Sequence, residues 1–127
     1  MHADLHHGNF FAHEGALTAF DFDDSCYHWY AYDLATALLG LDTFLAERGA
    51  PEQMPRCRAQ LLDGYARAHT LGPPWIDHVD AFMAYRAGLL YHWVRTRIAD
   101  GEFDDAALAW SERALPRFAA RATGDAM

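Results

Sequence analysis

The 127-residue sequence predicts a mainly α fold, in which a small β-hairpin is followed by a helical bundle. Two strand-like runs around a Glu-Gly pair, in "NFFAHEGALTAFDF", predict the hairpin. After Ser25, apolar residues recur at helical spacing, which predicts the bundle. A third observation places the chemistry: the polar clusters of "MHADLHHGNFF" and "LTAFDFDDS" fall on loops flanking the hairpin.

Taken in order, Asn9 to Ala12 and Ala16 to Phe20 are the expected strands, with Glu14 and Gly15 as the turn. Leu34, Leu38, Leu41 and Leu45 share one helical face with Ala37 and Phe44 beside them, and Gly49 then Pro51 mark its end. A second helix is expected over 52–71 with Leu61, Leu62, Tyr65 and Ala68 inward, ended by Gly72, Pro73 and Pro74. The third, over 75–99, is apolar on most sides and is expected at the centre of the bundle. A last helix starts near Phe103, and Pro116 is expected to kink or divide it. With no repeat or linker, the chain is expected to form one domain with one core.

Composition narrows the function. Hydrophobic residues make up 52% and charged residues 22%, a globular balance. A net charge of -8 argues against a nucleic-acid partner, since phosphate binding needs a basic stripe. Asp77, Asp80, Glu102, Asp104 and Asp105 are placed in first turns of helices, where the dipole favours carboxylates. Cys26 and Cys57 form no zinc-binding spacing or disulfide framework. The start lacks the n- and h-regions of a signal peptide, and no apolar run is long enough to span a bilayer. A cytoplasmic protein with no membrane partner is therefore expected.

The first cluster carries chemistry. Asp4, in a loop, can take a proton from a substrate hydroxyl, and Asn9, entering a strand, can offer an amide oxygen to a hard cation. If the hairpin closes as expected, Asp21 lies beside that Asn. Mg²⁺ favours such oxygen ligands together with waters and substrate phosphates. A base, an amide oxygen and a metal-binding carboxylate are the equipment of phosphoryl transfer.

Three stretches, "HADLHHGN", "LTAFDFDD" and "WYAYDLATAL", resemble in order and spacing the catalytic core of the aminoglycoside phosphotransferase and choline kinase superfamily. The resemblance implies a kinase-like fold, with residues 1–127 as its C-terminal catalytic lobe and the N-terminal nucleotide lobe absent. It implies Mg²⁺ and ATP as cofactors and a small-molecule alcohol as acceptor. By the same resemblance Asp4 is the catalytic aspartate, Asn9 and Asp21 are the metal ligands, and His2 and Asp33 support the catalytic loop. Asp23 stands where protein kinases have Gly; it is a candidate second carboxylate and points to the small-molecule branch. The family's phosphate-binding lysine has no counterpart, because all ten basic residues are Arg. The isolated chain is therefore expected to be nearly inactive.

Other readings stay open. A non-catalytic remnant serving as a binding or assembly module is the alternative. A metal-dependent hydrolase built from His2, Asp4, His6 and His7 is a third, although solvated loop histidines are the plainer account of His6 and His7. Tyr27, Trp29, Tyr30 and Tyr32 either cage a cationic substrate or, more economically, pack on the helical core. Asp23 and Asp24 beside Asp21 call for a cation or an Arg to relieve their repulsion. Leu5, Phe10, Phe11, Leu17 and Phe20 are expected to be left exposed in part, favouring a homodimer or a partner.

Overall fold

A computed structural model describes residues 1–125. Its elements are β1 (Phe10–His13), β2 (Ala16–Ala19), α1 (Tyr30–Glu47), α2 (Met54–Ala68), α3 (Pro73–Asp77), α4 (Val79–Ala99) and α5 (Asp105–Thr123). The mainly α architecture with one small hairpin is the one expected. None of the helices among the described residues is long and apolar enough to cross a membrane. The chain divides into two compact units, Met1–Phe82 and Met83–Met127, the boundary falling within α4.

In the first unit the hairpin pairs Phe10 with Ala19 and His13 with Ala16, which leaves a two-residue turn. Glu14 and Gly15 both have positive φ (49° and 79°), the backbone whose twist matches that of paired strands. Helix α1 buries Ala31, Tyr32, Leu34, Ala35, Leu38, Leu39 and Leu45. Full burial of a side chain such as Leu38 contributes about 1.5–3 kcal/mol. The helix packs on α2 and on the 3₁₀ turn His7–Asn9, so the N-terminal loop and a helix share its surface. Leu41, expected inward, is only half-buried. Helix α2 is amphipathic, with Leu61, Leu62 and Tyr65 half-buried, but Ala68, expected inward, is exposed.

The expected third helix is two helices, broken at His78, whose N–H bonds to Trp75 O in a tighter 3₁₀ turn. This puts Asp77 at the end of α3 rather than in a first turn. Asp80 does lie in the first turn of α4, where it also pairs with Arg58 at 2.8 Å.

In the second unit α4 supplies buried Met83, Ala87 and Val94, and α5 supplies Ala114 and Phe118. Helix α5 comes back along α4, with Gly88 beside Ala122. The all-round apolar character of α4 is not matched by all-round burial: Leu89 and Trp93 remain 43% and 46% exposed. Asp104 caps α5 by accepting from the Ala107 N–H at 2.8 Å, and Glu102 in the preceding turn pairs with Arg97. Pro116 lies on the exposed face and does not divide α5.

Candidate active site

The two polar clusters meet at one peptide. Phe20 N–H donates to Asn9 O at 3.0 Å, extending the hairpin ladder by one residue. On the other side, the His2 ring donates from Nε2 to Phe20 O at 2.8 Å. The Nδ1 of the same ring accepts from Asp4 N–H at 3.3 Å, so its two partners select the Nε2–H tautomer. His2 is buried, with Phe22 against its ring at 4.6 Å. The chain start is tied down again where Met1 and Cys26 exchange backbone hydrogen bonds of 3.1 and 3.2 Å.

Asp33, in the first turn of α1, grips the loop from behind. Its carboxylate accepts from His2 N–H at 3.2 Å and Ala3 N–H at 2.8 Å. Between these contacts Ala3 takes a left-handed backbone, φ 65°, uncommon for a residue with a Cβ. Two charge-assisted bonds hold that turn immediately before Asp4.

Asp4 is half-buried, and Asn9 is buried beside it. Asn9 Nδ2 donates to Asp4 O at 2.8 Å and to Asp4 Oδ2 at 3.2 Å. With the NH₂ end spent on Asp4, the amide oxygen of Asn9 is the end that faces away from that carboxylate. Asp21, one residue past the Phe20 junction, is exposed and turned by a positive φ of 59°. Asp23 and Asp24 are exposed in the following turn. His2, Asp4, Asn9 and Asp33 thus form one bonded network, and Asp21 is attached to it through the Phe20 backbone. Asp23 and Asp24 are on the neighbouring surface and are not drawn into that network.

The remaining histidines of the loop are in part solvated, as expected, His7 exposed and His6 half-buried, and each also touches the loop or α1. His6 Nε2 lies 3.6 Å from Asp4 Oδ2, and His6 Nδ1 accepts from Gly8 N–H at 3.1 Å. His7 turns the other way, onto Phe44 of α1 at 4.8 Å. Burial against that helix, then the adjacent His6, holds the His7 imidazole below its ordinary value, against a backbone hydrogen bond with Gly40. Among the described residues no three His, Cys, Asp or Glu side chains are grouped to hold a metal. His2 has both ring nitrogens engaged, so the histidine-built zinc site lacks its ligands.

Of the aromatic run, only Tyr32 packs inward, 4% exposed and stacked on His28 at 4.3 Å. Trp29 lies against Phe82 at 5.6 Å but stays 54% exposed, and Tyr27 stands clear in solvent. Packing on the core therefore accounts for Tyr32 and in part for Trp29, and not for Tyr27. Behind the loop runs an apolar groove of about 440 Å³, walled by Leu5, Phe10, Leu17, Leu34, Leu41 and Leu61. Tyr65 is on its edge, its hydroxyl pushed above the usual phenol value by burial and then by Asp33. Asp4, Asn9 and Asp21 do not line this groove.

The loop thus presents Asp4 and Asn9 together, with Asp21 following the paired strand at the same end of the hairpin. The APH model, the phosphotransferase enzyme family, matches residues 1–73, and the chain belongs to that family. Among curated proteins, the amicoumacin kinase of Bacillus subtilis (strain 168) is 33% identical over 95 residues. That match covers 72% of this chain and 28% of the relative, so the chain spans little more than a quarter of the relative's length.

Proposed function

We propose that this chain carries the catalytic loops of an ATP- and Mg²⁺-dependent small-molecule kinase, which moves a phosphoryl group onto an alcohol hydroxyl. The observation that carries the reading is the Asp4–Asn9 pair, joined through Phe20 to Asp21. Asp4 faces the acceptor: its carboxylate orients the hydroxyl and takes its proton as the oxygen attacks. Asn9, through its amide oxygen, and Asp21, through its carboxylate, would hold the metal, with Asp23 as a further carboxylate. Such a pair fits Mg²⁺, which keeps several waters and phosphate oxygens and takes few protein ligands. When bound, the metal supplies positive charge to the phosphates. His2 and Asp33 act on the loop alone, fixing the turn from which Asp4 projects.

The acceptor class is a small hydroxyl compound, of which the relative's name supplies one instance, amicoumacin. With no Lys in the chain, charge stabilisation of the polyphosphate has to come from other cations, a large share of catalysis. We therefore expect negligible ATP turnover by this polypeptide alone. A coupled ADP assay showing turnover at ordinary kinase rates, abolished by Asp4→Ala, would refute that expectation. The metal site is tested separately with Mn²⁺ as a paramagnetic probe in NMR. Broadening centred on Asn9 and Asp21, lost in Asp21→Ala, is the expected result; broadening elsewhere would remove the basis of the reading.

A binding or assembly module is the second reading, favoured by one observation. The apolar groove and the exposed Phe11 and Leu17 offer apolar surface that Asp4, Asn9 and Asp21 do not line.

A further inference from the structure

We propose that His6 is a positioning residue for Asp4, held in one tautomer and one slot by two glycines, Gly8 and Gly40. The inference rests on the reading of Asp4 as the group that meets the acceptor hydroxyl, and it adds the device that aims it.

Three independent features of the structure converge on the His6 ring. Its Nδ1 accepts the Gly8 N–H at 3.1 Å, so in the neutral ring the proton is on Nε2. Nε2 faces Asp4 Oδ2 at 3.6 Å, longer than a direct hydrogen bond and within ion-pair range. The ring nitrogen that carries the proton is therefore the one nearest the carboxylate. Asn9 Nδ2 donates to the same oxygen at 3.2 Å, so His6 and Asn9 both face one carboxylate oxygen of Asp4.

The slot itself is cut by missing side chains. A Cβ on Gly8 would lie 2.8 Å from His6 Cε1 and 3.1 Å from Nδ1, inside the ring's own space. A Cβ on Gly40 would lie 2.6 Å from His6 Cβ and 3.1 Å from its Cα, a collision with backbone that no rotamer change relieves. Gly40 sits in the interior of α1, where glycine is less favourable than alanine. That local cost is what close approach of another backbone requires, and here the approaching backbone is His6. His7 fastens the other side of the contact, through Phe44 and the Gly40 backbone.

The test uses the full chain, labelled with ¹⁵N and ¹³C, and reads the imidazole nitrogens of His6 and the carboxyl carbon of Asp4 by NMR. The wild type is expected to show a single Nε2–H tautomer at His6. Gly40→Ala and Gly8→Ala are expected to convert it to the mixed pattern of a solvated imidazole. His6→Leu is expected to shift the Asp4 carboxyl resonance, and His6→Gln, whose amide N–H reaches the same place, to restore most of it. A mixed tautomer in the wild type, or an Asp4 signal indifferent to His6→Leu, overturns the proposal. If His6→Leu does not fold, Gly40→Ala decides alone, since alanine favours the helix it enters. None of these readouts requires phosphoryl transfer or metal, so Mn²⁺ broadening away from Asn9 and Asp21 would defeat the proposed function and leave this result standing.

Discussion

His7 shows how one side chain can make the loop sensitive to acid. Its ring lies on Phe44, and burial with the neighbouring His6 keeps its proton affinity below the ordinary value of 6.5. In the unfolded chain the ring recovers that value, so on acidification the unfolded state binds the proton first. Stability is therefore undiminished by this group at higher pH, and falls as pH drops through the unfolded value. Thermal unfolding followed from about pH 7 to about pH 5 is expected to show a declining midpoint, and His7→Leu to flatten that part of the curve. A decline of equal steepness in His7→Leu would assign it to other groups.

At the scale of elements, the end of α1 sets where the loop platform stops. Gly49, at φ 69°, donates to Ala46 O, and Ala50 N–H reaches back to Leu45 O at 2.9 Å. This is the paired closure that satisfies the last carbonyls of a helix with a left-handed residue after it. A Cβ there meets no neighbour, so Gly49→Ala isolates the backbone cost. It is expected to lower stability by about 1 kcal/mol, read as a shift in the urea midpoint without a change in slope. An unchanged midpoint would mean that the turn relaxes. Helix α4 teaches the converse lesson. Its apolar residues point in all directions, yet full burial reaches only Val79, Met83, Ala87 and Val94 among them.

Across the molecule, apolar surface and charge oppose one another. Phe11, Leu17 and Phe20 are 55%, 73% and 42% exposed on and beside the hairpin, and the groove behind the loop is continuous with Leu17. Surfaces of that kind favour association, while a net charge of -8 repels copies of the same chain. Salt screens the repulsion and leaves the apolar attraction in place. Sedimentation is therefore expected to show self-association that strengthens with salt and is weakened by Leu17→Glu. A single monomer at all salt concentrations would show that the exposed residues are too dispersed to act together.

Much was determined by the sequence alone, because it depends on local chemistry. Strand alternation around Glu14-Gly15, leucine spacing in α1 and the order of the three motifs need no distant partner to be legible, and they identified hairpin, helix and family. The loop histidines were not legible in this way. Whether His6 is solvated or seated depends on Gly40, 34 positions along the chain, and on whether α1 comes near enough to exclude a Cβ. A glycine inside a helix was the available signal, but its partner could not be named without the packing. The break at His78 and the uncovered side of α4 are likewise outcomes of tertiary contact, which periodicity does not encode. The residue types for the chemistry were written in the chain; the tertiary structure decided which of them touch, because a side chain's partners are set by the approach of backbones remote in sequence.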